Sequence, residues 1–176
     1  MPLPGSWHPS RQWRENAMPR FEPKNPDYRR VATDTFNRQR AMHTLGFSIA
    51  RMEPGEVDLS MDYSPALAQQ NGFVHAGVIT AGLDTACGIA AFTLMPAGSD
   101  ILTVEFKTNL LAPASGLRFV FRAEVIKPGR TLTIAEARAF ALRDGGEHLI
   151  ATMTGTLMAL PRREAAHATG QVLSPA

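Results

Sequence analysis

From Val78 to Met95 the chain carries a single charged side chain, Asp84. Small residues crowd the same region: Ala76, Gly77, Ala81, Gly82, Ala86, Gly88, Ala90 and Ala91. This composition predicts a helix over about Ala76–Leu94, apolar on nearly all sides, and such a helix has to be wrapped by other structure. Glycine inside a helix costs about 1 kcal/mol relative to alanine, so the pattern implies close approach of another backbone. Withdrawing an ionised carboxylate from water without a partner costs several kcal/mol. Asp84 is therefore the first candidate for a chemical task. A membrane span is disfavoured, because the stretch is of marginal length, rich in Ala, Gly and Thr, and interrupted by Asp84.

What wraps the helix is legible on both sides of it. Thr33–Leu45, with Asp34 as a cap and Gly46 as its end, reads as a short helix with Phe36, Met42 and Leu45 on one face. Phe47–Met52 and Glu56–Tyr63 read as strands around the turn Pro54-Gly55, and Ser64–Gln70 as a loop or single helical turn closed by Asn71-Gly72. After the central helix come four strands. In the first, Leu102, Val104, Phe106 and Leu110 alternate with Thr103, Glu105, Lys107 and Asn109, which predicts one apolar face. Leu117–Val125 alternates in the same way. Thr131–Leu142 follows the turn Lys127-Pro128-Gly129-Arg130, and Glu147–Leu160 follows Asp144-Gly145-Gly146.

Consecutive strands with tight turns make an antiparallel sheet, and six strands around one helix require that the sheet curl. The fold class is α+β. The opposite face of the sheet then needs cover, which predicts a homo-oligomer, dimer or tetramer. Residues 1–30, with six prolines from Pro2 to Pro26 and with Trp7 and Trp13, read as an extended arm. The domain proper is expected over 31–160, and 161–176 as a flexible tail.

Composition closes off other classes. The 176 residues suffice for one domain with a real core, at 44% hydrophobic content. A net charge of +2 leaves no nucleic-acid footprint. With one cysteine, Cys87, there is no intrachain disulfide, and a reducing, cytoplasmic setting is expected. The N-terminal residues lack the apolar core of a secretory signal. Neither a phosphate-binding loop, a dinucleotide fingerprint nor a metal-ligand spacing is present, so no metal or cofactor is expected.

Four segments together carry a resemblance: GFVHAG running into VITAGLDTACG, then TVEFKTNLLAPA, KPGRTLTIAEA and ATMTGTLMAL. In this order and spacing they resemble the hotdog-fold acyl-CoA thioesterases of the phenylacetate-degradation (PaaI-like) branch, over roughly Phe36–Leu160. The resemblance implies a curved sheet of about six strands around one long helix. It also implies hydrolysis of a medium-chain or aryl-acyl-CoA thioester, with the acyl-CoA as substrate rather than cofactor.

Site residues follow from the resemblance position by position. Asp84 matches the family's general base or nucleophile. The N–H groups of Ala76 and Gly77, at the helix start, match its oxyanion hole, with Ala76 standing where the family usually has glycine. Gln69 matches an amide that orients the carbonyl or the water, with Gln70 and Asn71 as rivals for that role and Asn71 expected among the substrate-binding residues. Thr103 matches a hydroxyl that supports the water. His75 is expected to position substrate or backbone. Pro113, within Leu111–Ala114, and Gly129, Arg130 and Thr131 match segments along coenzyme A. Phe73, Phe92 and Met95 are expected to set pocket depth. Two other functions remain open: a hydratase or dehydratase using His75 and Asp84, and a non-catalytic module binding an acyl or aromatic ligand.

Overall fold

In the computed structural model, which describes residues 21–161, turns fall where the strand pattern breaks. Two helices come first, α1 (Tyr28–Asn37) and α2 (Arg40–Thr44), followed by β1 (Phe47–Glu53) and β2 (Glu56–Asp62). A short 3-10 turn at Pro65–Leu67 leads to α3 (Ala76–Phe92). Then come β3 (Ser99–Leu110), β4 (Arg118–Lys127), β5 (Leu132–Arg143) and β6 (Gly146–Pro161). All neighbours are antiparallel, in the order β1-β2-β4-β5-β6-β3. This is the hotdog arrangement, with α3 lying across the inner face of the sheet. The arm residues 1–20, including Trp7 and Trp13, and the tail residues 162–176 lie outside the described residues.

Close packing explains the composition of α3. The inner face of β5 is Ala135, Ala137, Ala139 and Ala141, all buried, and β4 beside it supplies Phe119 and Phe121. Alanines under the helix let its axis settle close to the sheet. A Cβ on Gly82 would come within 2.6 Å of the Phe47 ring and 2.7 Å of the Phe121 ring. Aromatic rings, rather than another backbone, thus exclude a side chain at Gly82. Beyond the end of α3, the buried Thr93 hydroxyl accepts from Gly55 N–H at 2.7 Å and donates to the Ala90 carbonyl. This ties the β1–β2 turn to the helix.

Two expectations need correction. The helix read over Thr33–Leu45 is two helices, separated at Arg38-Gln39, and the first begins earlier, at Tyr28. Asp34 caps nothing; it sits inside α1 with its carboxylate 3.4 Å from Arg30. Burial of Ala32 and Phe36, one turn apart, carries the helical pattern back through Tyr28.

The second correction concerns β3. Leu102, Val104, Phe106 and Leu110 do not share a face, because the β3–β6 register shifts between Thr103 and Glu105. A bulge of one residue reverses the alternation. Leu102 pairs with Met158 on the outer face, whereas Phe106 opposes Gly155 and Leu110 opposes Ala151 on the inner face. Thr103 opposes the fully buried Leu157, so it too points inward. The apolar residues of β3 are not packed beneath α3: Leu102, Val104, Phe106 and Leu110 are 56%, 54%, 48% and 57% exposed. β3 is also an edge strand.

The outer face of the central strands is solvated differently. Arg122 reaches Glu147 at 2.6 Å and Asp58 at 3.6 Å and lies over the Phe140 ring, and Arg138 approaches Glu124 and Glu136. An antiparallel sheet can face water on one side when that side is polar. Apolar exposure is instead concentrated along β3.

Candidate active site

Three elements meet at the start of α3. His75 is its N-cap, with extended backbone (φ −61°, ψ 138°), and its ring Nδ1 accepts the Gly77 N–H at 2.9 Å. The His75 carbonyl accepts from Val78 and Ile79. Helix starts leave N–H groups without intrahelical partners. Of the two expected oxyanion donors, Gly77 is therefore occupied by His75. The Ala76 N–H has no hydrogen-bond partner among the described residues.

The preceding loop is held tightly. Gly72 N–H donates to the Gln69 carbonyl, Gln69 N–H to the Phe73 carbonyl, and the Tyr63 hydroxyl to the Gly72 carbonyl. Gln69 Oε1 accepts the Asn71 N–H. With its oxygen engaged, Gln69 presents Nε2, a donor. Gln70 and Asn71 are exposed, and the cavity wall is made by Gln69.

That cavity has a volume of about 430 Å3. Gln69, Phe73 and Val74 line it from the loop, Ala76 and Ile79 from α3, residues 110–114 from the exit of β3, and Ile150 from β6. Pro113 thus belongs to the same cavity as Gln69 and Ala76. Ile150 enters because the β5–β6 register shifts beside it and its carbonyl accepts both Leu111 and Ala112 N–H groups. Nothing in the alternation of residues announced this. Phe92 and Met95, expected to set pocket depth, are instead core residues, 7% and 5% exposed, and do not line the cavity.

Asp84 is elsewhere. It follows Ala76 by eight residues, and a rise of 1.5 Å per residue separates them by about 12 Å along α3. Its Oδ1 accepts the Thr103 hydroxyl at 2.8 Å, across the gap between α3 and β3 of the same chain. Thr103 thus reaches Asp84 within one chain, and the bulge after Thr103 is the reason it shares the inner face with Phe106. Burial raises the Asp84 carboxyl above its ordinary value, and the Thr103 hydrogen bond opposes that rise. Gly88, one turn further on, has open space where a Cβ would stand. Asp84 and Gly88 thus look out along the uncovered side of the helix.

Gly129, Arg130 and Thr131 form the β4–β5 turn, where a Cβ on Gly129 would meet the Leu132 carbonyl oxygen at 2.1 Å. Leu132 pairs with Met158, which pairs with Leu102. The turn therefore lies at the Leu102 end of β3, whereas the cavity lies at the Leu110 end, about 26 Å away at 3.3 Å per residue. A single chain thus splits the expected residues into two groups: Gln69, His75, Ala76, Gly77 and Pro113 at one end, and Asp84 with Thr103 two turns along. Arg130 belongs to neither. Among the described residues no cluster of three or more His, Cys, Asp or Glu is placed to hold a metal, and no helix is long and apolar enough to cross a membrane. Burial pushes the Cys87 thiol up to about 12, away from nucleophilic use.

The chain resembles known proteins in both sequence and fold. Residues 71–147 match the model of the thioesterase superfamily. A thioesterase family protein from Silicibacter pomeroyi has 58% identity to this chain, covering 76% of it and 98% of that structure, with a TM-score of 0.75. The PaaI protein of the E. coli phenylacetic acid degradation operon shares the fold at 15% identity, with coverage of 78% and 96% and a TM-score of 0.70. A provisionally named esterase from Saccharolobus solfataricus is 28% identical over 52% of this chain; the match spans 65% of that relative, just under two thirds of its length. Fold and sequence agree: the chain belongs to the thioesterase superfamily.

Proposed function

We propose that the protein hydrolyses medium-chain or aryl-acyl-CoA thioesters at a site completed by two chains. The observation that carries this reading is the separation of about 12 Å between Asp84 and the free Ala76 N–H. One thioester carbonyl cannot contact both groups of the same chain. An antiparallel apposition of two β3 edges would bring Asp84 of one chain to Ala76 and Gln69 of the other. It would also cover the exposed Leu102–Leu110 strand, whose apolar side chains and unpaired edge call for a partner.

In the proposed reaction, Asp84 takes a proton from water as the water oxygen bonds to the thioester carbon. A carboxyl raised above its ordinary value is a better base than a solvated one. Thr103 holds the carboxylate in one orientation. Ala76 N–H and Gln69 Nε2 donate to the oxyanion. The carbon–sulfur bond then breaks, leaving a carboxylic acid and the coenzyme A thiol once the Asp84 proton passes to sulfur. In this apposition Arg130 comes from the chain that supplies Asp84, and its exposed guanidinium is available to the phosphates of coenzyme A. We assign no cofactor or metal to the reaction, and a cytoplasmic setting suits a chain whose one cysteine, Cys87, is buried.

The hydratase reading is disfavoured by His75, whose Nδ1 is engaged by Gly77 N–H. Thiol release from saturated and unsaturated acyl-CoAs, measured alongside the mass of the assembly, tests the proposal. Turnover of saturated acyl-CoA by a dimer or tetramer is expected. Ligand-induced thermal stabilisation without thiol release would instead identify a binding module.

A further inference from the structure

Resting on the hydrolase reading above, we infer that the cavity beside Ala76 is the acyl pocket and that it selects uncharged acyl groups, rejecting those that end in a carboxylate. Among the described residues no charged side chain lines it, and Gln69 is its one amide. Its wall is otherwise apolar, built from Phe73, Val74, Ile79, Leu110, Leu111 and Ile150. A carbonyl held at Ala76 N–H sends one substituent into this space. Pantetheine, with two amides and a hydroxyl, would leave most of its polar groups unpaired there. A hydrocarbon chain or an aromatic ring leaves none. An acyl group carrying a distal carboxylate would bury a charge with no cation among the described lining residues to meet it.

Volume sets a second limit. A water occupies roughly 30 Å3 of liquid and a methylene is of similar size, so the cavity of about 430 Å3 accepts about fourteen heavy atoms. Octanoyl and phenylacetyl groups fit within that. Charge and size are thus read by one protomer, the one that also supplies the oxyanion donor.

The test is a comparison of kcat/KM for wild-type protein with butanoyl-, hexanoyl-, octanoyl-, dodecanoyl-, hexadecanoyl-, succinyl- and glutaryl-CoA. Each added methylene up to dodecanoyl is expected to raise kcat/KM about fourfold, with no further gain at hexadecanoyl. Succinyl-CoA is expected at least about a hundredfold below butanoyl-CoA. Leu111→Arg places a cation on the wall at an exposed position and is expected to raise the succinyl-to-butanoyl ratio at least about tenfold. Succinyl-CoA within tenfold of butanoyl-CoA, or rates independent of chain length, would overturn the pocket assignment while leaving the hydrolase intact. Absence of thiol release from every substrate would overturn the hydrolase reading. Calorimetric titration with octanoyl-CoA and succinyl-CoA then decides the pocket separately: preferential binding of octanoyl-CoA supports it, and equal binding removes it.

Discussion

The Thr103 hydroxyl on β3 lies 2.8 Å from Asp84 Oδ1 on α3 and donates to it. This contact opposes the effect of burial, which raises the Asp84 carboxyl, because a hydrogen bond to the ionised form favours that form. Thr103→Val removes the donor and leaves the burial. The Asp84 carboxyl should then rise further, and the acidic limb of kcat/KM against pH should move to higher pH, with activity recovering on the alkaline side. A pH–rate profile of the variant checks this. An acidic limb that stays in place would mean that another group controls it.

Asp84 should behave as a functional residue that weakens the fold. Its folded-state carboxyl is raised above the unfolded value, so the native state holds the proton more firmly. Stability associated with this group is therefore greatest in acid and declines as pH rises through the carboxyl range. Asp84→Asn is expected to cut turnover about a thousandfold while melting at or above the wild-type temperature at neutral pH. That advantage should vanish in acid. Thermal melts across pH, beside thiol-release rates, give both results, and a large loss of Tm would mark Asp84 as structural.

Ala76 allows a substitution that deletes a donor and spares the helix. It occupies the first helical position, where proline is tolerated, and His75 before it already has the extended backbone that precedes proline. Ala76→Pro should lower kcat by about a hundredfold or more with Tm unchanged. Circular dichroism melts and steady-state kinetics test the pair of outcomes together.

For His75 the deciding comparison is between two replacements. Its ring nitrogen caps α3 through Gly77 N–H. His75→Ala should cost about 1 kcal/mol of stability, whereas His75→Asn, which restores a capping oxygen, should recover both stability and most of the turnover. If His75→Asn folds normally but is as inactive as Asp84→Asn, the ring acts on substrate.

Turn chemistry made much of the fold readable in advance. Pro54-Gly55 and Asp144-Gly145 close two-residue hairpins, the latter with both residues at positive φ (51° and 72°), and the strands on either side begin and end within a residue or two of expectation. Asp84 stood out because charge is rare in a buried helix. The direction of Thr103 did not, since a bulge at Val104 reverses the faces of β3 and no residue type there announces it. Alternation alone gives the wrong parity from that point on. The start of α1 was hidden for another reason: prolines up to Pro26 gave the N-terminal residues the composition of an arm, although a helix begins at Tyr28. Ile150 reaches the cavity through a register shift between β5 and β6, which no pattern of residue types marks.

Mixed oligomers provide the most direct measurement. Asp84→Asn and Ala76→Pro chains are each expected to be inactive alone. If one protomer supplies Asp84 and its partner Ala76, a mixed dimer holds one doubly damaged site and one intact site. Co-refolding equal amounts should then restore about a quarter of wild-type thiol release, from statistical pairing of the two chains. Persistent inactivity of purified mixed dimers would contradict the shared site and place both groups in service of a single chain.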